Sequence, residues 1–396
     1  MTKTFHIFAN AALGQGLSGG DRIFIEFAKR LKTDNHVVIH VWEEGYQICK
    51  KQGLSDTNNL KFEIMNVNFW CKFGFLICYF ARIITACLKS LFICLENNNS
   101  TIVYSASEFW MDSFPAFILK LRFPKIKWVA AWFQTAPNPL KGFSEGEREN
   151  VYRLSAFYHW FMQLPIKPLI SRYTDLILVN NDLEKKQFDA QKKILVVLGA
   201  VDLPRVNDYL KNHKKNHLTY DAVFQGRFHP QKGVVELVDI WKKVVEKLPG
   251  AKLAMIGDGP LMNAVKDRIK QLGLEANIRL FGYVFDGDQK YRIFSQSNIV
   301  VHPAFFDSGG MASAEAMAFS IPCVGFNLDS YKSYYPRGMI KVAVGDLNLF
   351  AKAIMDLIKD KRKRKEIGGE AQKMIQKNWN WDQRVNLLLT LLERDD

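Results

Sequence analysis

The chain has 396 residues, of which 48% are hydrophobic and 24% charged. This length predicts two or three domains of roughly 150 residues each, and the composition excludes a disordered chain, a fibre and a small disulfide-stapled module. The 54 lysines and arginines exceed the 40 acidic residues, so the formal net charge of +14 favours anionic partners: nucleic acid, phosphorylated small molecules or an anionic membrane surface.

The chain begins with a pattern typical of an α/β domain. The opening MTKTFHIFANAALGQG lacks a basic stretch followed by an unbroken apolar run, so we predict no signal peptide and a cytoplasmic protein. A strand-like start leads through the glycine-rich GQGLSGGD into a helical pattern and the strand-like HVVIHVW. Further strand-like runs at 101–106 and 175–181 extend this alternation, which predicts a parallel sheet covered by helices.

The segment 69–95 is strongly apolar but contains Lys72, Arg82 and Lys89. Its uncharged runs are shorter than the ~18 to 20 residues that a membrane-spanning helix needs. At ~100° per residue the three cations fall within one arc, opposite an aromatic and aliphatic face. We predict a basic amphipathic helix, which either packs on a sheet with its cations in solvent or lies on an anionic lipid surface.

The six cysteines include no C-x-x-C pair and no grouping with zinc spacing. We therefore expect reduced, buried thiols.

A polar, basic segment at 207–220 is predicted to be a linker, and a second β-loop-α series follows it. We therefore predict two doubly wound Rossmann-like domains, an N-terminal one over 1–206 and a C-terminal one over 207–375. Residues 376–396 are predicted to form a leucine-striped final helix. The basic run at 359–365 is either a solvated helix face or a site for lipid phosphate or nucleic acid.

Ligands of such sheets bind where strands end, which makes the loops after strands the candidate sites. The loop from Gly14 to Gly20 precedes a helix, and it is either a phosphate loop or a plain tight turn. The loop G-R-F-H-P-Q-K-G carries Arg227 and Lys232, which together could neutralise a diphosphate or could be ordinary surface cations.

The richest candidate is H-P-A-F-F-D-S-G-G-M-A-S-A-E-A-M-A at 302–318. Asp307 follows a predicted strand, glycines follow Asp307 where a helix begins, and Glu315 lies about two turns further on. This arrangement offers two carboxylates for sugar hydroxyls and backbone N–H groups for a phosphate. The alternative is structural: Asp307 or Ser308 caps the helix and Glu315 is a surface residue.

A D-x-D sequence occurs at Asp286 and Asp288, just before a helical pattern. Turn and N-cap chemistry explains it, so we predict no metal site. His229 and His302 are isolated, and we interpret His302 as a structural hydrogen-bonding residue rather than a catalytic base.

The order of these motifs resembles the retaining glycosyltransferases of family 4. The similarity is carried by the glycine loop, V-L-G-A-V-D (197–202), G-R-x-x-x-x-K-G, I-G-D-G-P (256–260), F-G-Y-V (281–284) and the acidic residue seven positions short of E-A-M-A. The resemblance implies a GT-B fold: two Rossmann-like domains facing across a cleft, with the final helix crossing back to the first. It also implies retention of anomeric configuration.

The resemblance further implies a role for each matching residue. Arg227 and Lys232 would hold the donor diphosphate, Asp307 the donor sugar and Glu315 the ribose. The remaining donor-binding residues would be those closing over the diphosphate, flanking the base or offering backbone N–H groups: Gly19, Gly20, Gly226, Tyr283, Val284, Ser308, Gly309, Gly310, Met311 and Ala312. The diphosphate would be stabilised by cations and N–H groups, without a metal or cofactor.

Two positions depart from the family pattern. Asp307 stands where the family has glutamate, one methylene longer. Trp132, Phe133, Gln134 and Thr135 stand where the first domain often carries a histidine, so no catalytic residue is assigned there.

The resulting hypothesis is a retaining glycosyltransferase that moves a sugar from a nucleotide-sugar to a lipid-linked or polysaccharide acceptor, peripherally bound at the cytoplasmic face of an anionic membrane. The alternative is a noncatalytic nucleotide-sugar or polyanion-binding protein of the same fold. Nucleic acid is not an expected partner, because the cations are not interleaved with aromatics in a recognisable module.

Overall fold

The computed structural model describes residues 2–12, 17–66, 68–144, 146–213 and 218–393. In chain order the strands are β1 (Thr4–Phe8), β2 (His36–Trp42), β3 (Leu60–Met65), β4 (Thr101–Ser105), β5 (Lys127–Trp132), β6 (Leu176–Val179), β7 (Ile194–Val196), β8 (Tyr220–Gln225), β9 (Leu253–Ile256), β10 (Ile278–Leu280), β11 (Ser297–His302), β12 (Cys323–Phe326) and β13 (Met339–Val342).

The helices, in the same order, are α1 (Gly19–Leu31), α2 (Glu43–Lys51), α3 (Asn68–Cys71), α4 (Phe75–Phe92), α5 (Trp110–Arg122), α6 (Arg153–Gln163), α7 (Ile166–Tyr173), α8 (Asp182–Lys185), α9 (Leu203–Asn212), α10 (Val234–Lys247), α11 (Met262–Gln271), α12 (Asp288–Ser295), α13 (Met311–Met317), α14 (Asp329–Tyr334), α15 (Leu347–Lys359), α16 (Lys361–Asn378) and α17 (Trp381–Glu393). A 3-10 turn spans Pro230–Lys232.

The strands form two parallel sheets. The first has the order β3-β2-β1-β4-β5-β6-β7 and the second the order β10-β9-β8-β11-β12-β13. Neighbouring strands pair in parallel throughout, for example β1 with β4 and β8 with β11. In each sheet the strand order reverses direction at such a central pair, and the carboxyl ends of that pair are where ligands of open α/β sheets bind. The predicted α/β class with two doubly wound domains is confirmed.

Burial explains why these segments are strands. All residues of β4, β5, β6 and β9 are buried, as expected for strands of a parallel sheet that helices cover on both faces. Their near-continuous apolar runs therefore lack the alternation seen in half-exposed strands.

The chain forms two compact units. The first unit comprises residues 1–136, 158–197 and 381–396, and the second comprises 137–157 and 198–380. The division falls at 197/198, whereas the sequence analysis placed it at 206/207. The reason is helix α9, whose Val206 and Tyr209 are buried in the core of the second unit. Residues 207–212, expected in a linker, belong to this helix.

The segment 137–157 was expected in the first domain but belongs to the second unit. The side chain of its Arg148 is buried and donates through Nε to Glu236 Oε1 at 2.7 Å, a contact that holds the segment to α10.

Helix α17 belongs to the first unit, as the GT-B pattern implies. It begins at Trp381, because α16 continues to Asn378 and Trp379 is buried in the core of the second unit. In the first unit, the Trp381 ring lies edge-on to Phe27, with the centroids 6.3 Å apart. Lys127 Nζ donates to the Leu392 carbonyl at 2.6 Å near the other end of the helix.

The predicted single helix over 69–95 is two helices, α3 and α4, separated at Gly74, whose φ of 103° suits glycine. Arg82 does not face solvent with the other cations. It is 6% exposed, pairs with Glu44 at 2.9 Å and lies over the Trp42 ring. The outward side is therefore more apolar than a helical wheel indicates. Within the described ranges, none of the helices combines the length and the hydropathy of a membrane-spanning segment.

The expectation of six reduced, buried thiols is wrong. Cys71 and Cys78 form a disulfide, because the turn between α3 and α4 brings these two residues together. Cys94 is free but exposed, whereas Cys49 and Cys323 are both free and buried.

Candidate functional site

In the second unit, the loop after β8 packs closely against the loop after β11. Gly233 has a φ of 63°, and a Cβ added there would lie 2.0 Å from the Pro303 carbonyl oxygen. Phe305 N donates to the Gln231 carbonyl at 2.9 Å. Only glycine allows this close approach, which brings Lys232 to Asp307.

Asp307 and Lys232 form an ion pair. Lys232 Nζ lies 2.5 Å from Asp307 Oδ2, and the aspartate side chain is 7% exposed. The same oxygen accepts hydrogen bonds from His302 Nε2 at 3.0 Å and Tyr331 Oη at 2.8 Å. Oδ1 accepts one long contact, from Gly309 N at 3.4 Å.

These partners decide the charge state of Asp307. Burial acts to raise its pKa, but the positive charge of Lys232 and the hydrogen bond from His302 outweigh burial, so the pKa of Asp307 lies well below its usual range. Burial lowers the pKa of His302, and the hydrogen bond to Asp307 opposes only part of that effect. The imidazole is therefore neutral at pH 7 and donates through Nε2–H, because a carboxylate oxygen can only accept.

The residues after Asp307 form a tight loop at the start of α13. Gly310 is left-handed, with φ 57°, and a Cβ on Gly309 would lie 2.6 Å from the Tyr334 ring. Tyr335 Oη donates to the Gly310 carbonyl at 2.6 Å. Ser308 is half-buried before the glycines, and Met311 and Ala312 are half-buried in the first turn of the helix. The structure thus places the predicted loop residues together.

Glu315 is buried, which rules out the surface reading. Its Oε2 accepts from Lys290 Nζ at 2.6 Å and from Gln225 Nε2 at 3.3 Å. Lys290 is fully buried and also contacts Asp286. Sequence reasoning missed Lys290, because it lies in α12 whereas Glu315 lies in α13.

The D-x-D pair does not form a shared ligand set. Asp286 is paired with Lys290, and Asp288 is the first residue of α12. Over the described ranges, no group of three or more His, Cys, Asp or Glu side chains is arranged to hold a metal ion.

Four further predicted residues lie in loops after β8 and β10. Gly226 N donates to Ile256 O, and a Cβ on Gly257 would lie 1.9 Å from the Gly226 carbonyl oxygen. Arg227 is exposed. Tyr283 is half-buried against Phe285, while the side chain of Val284 is in the core, so only the backbone of Val284 is suited to contact a ligand.

In the first unit, Gly19 and Gly20 form the first turn of α1. Ser18 caps this helix, with Asp21 completing a capping box. A Cβ on Gly20 would lie 3.4 Å from the ring of Phe133, which follows β5. Gly14 and Gly16 lie outside the described residues.

Buried carboxylates that the sequence analysis missed lie at the carboxyl ends of the first sheet. Burial raises the pKa of Glu108 to about 7, and its Oε2 accepts from Phe133 N at 3.3 Å. Thr135 donates through Oγ1 to Glu184 Oε2 at 2.5 Å. The signal was available: Glu108 and Glu184 each follow a strand of a parallel sheet. The segment without a catalytic assignment is therefore in contact with acidic groups.

Asp112 also has a pKa raised by burial, to about 8. It accepts from Asn10 N at 2.5 Å and from Ser107 Oγ at 2.5 Å, so it fastens the loop after β1 to α5.

Part of the chain is similar in sequence to known glycosyltransferases. The chain is 26% identical over 198 residues to an uncharacterised glycosyltransferase of Methanocaldococcus jannaschii, covering 47% of this chain and 45% of that one. It is 25% identical over 205 residues to UDP-Gal:alpha-D-GlcNAc-diphosphoundecaprenol alpha-1,3-galactosyltransferase of Escherichia coli, covering 47% and 51%. The chain thus spans about half the length of these curated relatives.

The fold has close counterparts among solved structures. A Staphylococcus aureus TarM variant in complex with fondaparinux, alpha-GlcNAc-glycerol and UDP superposes with a TM-score of 0.73 at 13% identity, over 99% of this chain and all of that one. Residues 206–374 match the family described as Glycosyl transferases group 1. The family match thus falls within the second unit, and the chain has the GT-B fold.

Proposed function

We propose that this protein is a retaining glycosyltransferase that moves a sugar from a nucleotide-sugar donor to a lipid-linked or polysaccharide acceptor at a membrane surface. The observation that carries this proposal is the grouping of Lys232, Asp307 and Glu315 beside the carboxyl ends of β8 and β11. That grouping combines a cation for phosphate with two buried carboxylates for hydroxyls. The family match over 206–374 supports the same chemistry.

In this proposal each group has a distinct task. The ammonium of Lys232 and the guanidinium of Arg227 bind the donor diphosphate and stabilise the charge that develops as it leaves. Asp307, ionised because its pKa is low, accepts hydrogen bonds from the hydroxyls of the donor sugar. Glu315 accepts from the ribose hydroxyls.

Further residues complete the proposed donor site. The backbone N–H groups of Ser308 to Ala312 face the phosphate and sugar, and the backbone near Tyr283 and Val284 flanks the base. A role of Gly19 and Gly20 in donor binding stays a prediction of the sequence resemblance.

Metal independence is part of the proposal. Arg227 and Lys232 supply positive charge for the leaving diphosphate, a task that a divalent cation performs in other transferases. Asp286, which a metal-dependent reading would use as a ligand, already compensates the charge of Lys290.

The membrane part rests on a surface of the first unit, the α3–α4 apolar surface. Its ten large apolar side chains are 45–81% exposed, and they are Phe69, Trp70, Phe73, Leu76, Ile77, Phe80, Ile84, Leu88, Leu91 and Phe92. Exposed apolar patches of this kind mark interaction sites. Aromatic and aliphatic side chains flanked by the exposed cations Lys72 and Lys89 are suited to the interface of an anionic bilayer.

A lipid-linked acceptor fits this surface. The Escherichia coli relative acts on a diphosphoundecaprenol-linked sugar, according to its name. An enzyme that lies on the bilayer surface can reach the diphosphate and sugar of such an acceptor, because these polar groups lie at the interface between lipid and water.

The test begins with calorimetric titration of UDP-, GDP-, ADP- and dTDP-glucose into the full chain, with magnesium and with EDTA. We expect one nucleotide class to bind equally in both conditions. Product formation with that donor is then measured on glycan and polyprenyl-diphosphate-sugar acceptors, for the wild type, Asp307→Ala and the exposed control Asp267→Ala.

We expect turnover by the wild type and the control, and loss of turnover in Asp307→Ala. Donor binding without turnover on any acceptor would favour the noncatalytic alternative. Absence of donor binding would contradict the proposal as a whole.

A further inference from the structure

Asp307 receives its hydrogen bonds unevenly. Lys232, His302 and Tyr331 all donate to Oδ2, at 2.5, 3.0 and 2.8 Å. Among the residues that the structure describes, Gly309 N alone contacts Oδ1, at the long distance of 3.4 Å. One carboxylate oxygen is thus held by the protein, and the other retains most of its capacity to accept.

The three donors come from separate parts of the second unit. Lys232 ends the 3-10 turn after β8, His302 is the last residue of β11, and Tyr331 lies in α14. His302 and Tyr331 are 1% and 0% exposed. A buried imidazole and a buried phenol need hydrogen-bond partners, and both are aimed at Asp307 Oδ2.

The loop at Gly310 packs closely against both side chains. A Cβ on Gly310 would lie 3.1 Å from Tyr331 Oη and 3.4 Å from His302 Nε2. Ser330 Oγ also donates to the Asp307 carbonyl at 2.7 Å, so the residue is fixed through its backbone as well.

We propose that His302 and Tyr331 are positioning residues for the transfer reaction: they hold Asp307 Oδ2 so that Oδ1 is presented to the hydroxyls of the donor sugar. This inference rests on the proposed function. When a donor diphosphate draws the ammonium of Lys232, the two neutral donors remain on Oδ2 and keep the carboxylate oriented. Asp307 is one methylene shorter than the glutamate of the family pattern. His302 and Tyr331 thereby hold its carboxylate in place.

The experiment compares two affinities. Calorimetry measures binding of UDP-glucose and of UDP, or the corresponding pair for the base that the wild type accepts, to the full chain, to Tyr331→Phe and to His302→Asn. The control is Tyr220→Phe, which removes a buried hydroxyl that contacts Arg279 at the opposite end of β8. Turnover is measured on the same proteins.

We expect the ratio of UDP affinity to UDP-glucose affinity to rise about tenfold in Tyr331→Phe, the cost of one hydrogen bond to a charged group. The affinity for UDP alone and the behaviour of Tyr220→Phe should match the wild type. Loss of folding would lower both affinities together, whereas loss of positioning lowers only the sugar-dependent one. In an Asp307→Asn background, Tyr331→Phe should add little further loss.

Two outcomes would overturn the assignment. If the wild type binds the sugar nucleotide and both variants keep the wild-type ratio, or lose UDP affinity equally, His302 and Tyr331 do not position Asp307. If the wild type binds neither probe of any pair, the proposed function fails, and this inference fails with it.

Discussion

Lys290 Nζ lies 2.6 Å from Glu315 Oε2 in the interior of the second unit, and the ammonium has no exposed surface. It also compensates Asp286, so one buried cation stands between two carboxylates. Glu315, the proposed ribose ligand, therefore has its position set by a residue 25 places away on α12.

Removal of this cation should be strongly destabilising. In Lys290→Met, two carboxylates lose their buried counter-ion, and we expect the free energy of unfolding to fall by about 3–5 kcal/mol. The control is Lys332→Met, which breaks the exposed pair with Asp329 and should change it by less than about 1 kcal/mol. Urea denaturation followed by circular dichroism measures both. Equal effects of the two substitutions would show that Lys290 does not compensate a buried charge.

The contact between the loops after β8 and β11 depends on Gly233. In Gly233→Ala the new methyl group meets the Pro303 carbonyl, so the loops separate and Lys232 moves from Asp307. We expect donor affinity to fall at least about tenfold. Gly273→Ala is a matched control, because Gly273 has a φ of 64° but no atom within 4 Å of the added Cβ. Gly273→Ala should lose only about 1 kcal/mol of stability, because alanine is strained in the left-handed backbone conformation, and it should keep its donor affinity. Unchanged affinity in Gly233→Ala would contradict this role.

Glu108 should give the first unit a pH-dependent stability. Burial raises its pKa from 4.5 to about 7, so the folded chain binds this proton more tightly than the unfolded chain. The stabilising effect is present at low pH and is lost as pH rises from about 4.5 to 7. Glu108→Gln removes this titration. The free energy of unfolding of the variant, relative to that of the wild type, should therefore be higher at pH 8 than at pH 5. Urea unfolding at both values tests this, with the exposed Glu370→Gln as control. A difference independent of pH would contradict the prediction.

The α3–α4 apolar surface should bind anionic vesicles. We expect the full chain to co-sediment with phosphatidylglycerol vesicles, less so at high salt because Lys72 and Lys89 contribute electrostatically. Replacing Phe80 and Ile84 with glutamate should weaken binding at least about tenfold. Leu349→Glu alters a leucine on α15 that is 47% exposed and should leave binding unchanged. Wild-type binding that is absent, or equal in the double variant, would rule out docking through this surface.

The sequence predicted the second unit better than the first because its signals are local. Gly233, Asp307 and Glu315 stand in short motifs whose glycines and spacing reflect close backbone approaches. Lys290 and Tyr331 were missed because they reach the site from α12 and α14, and no spacing in the chain records that contact.

In the first unit, helical periodicity led to a wrong prediction for Arg82. A helical wheel places Arg82 with Lys72 and Lys89, but the indole of Trp42 and the carboxylate of Glu44 draw the guanidinium inward. The disulfide between Cys71 and Cys78 depends on a turn at Gly74 that the continuous apolar run concealed. Glu108 and Glu184 belong to no motif, and their one sequence signal is that each follows a strand of the first sheet.

The placement of α17 has a consequence for biosynthesis. Phe27 and Arg30 leave the ribosome more than 350 residues before their partners Trp381 and Asp382. The unit whose strands are translated first is therefore the last to be completed, after the whole second unit has been made. Until then α1 lacks these two partners, so the packing of the first unit cannot be complete before the second unit has been made.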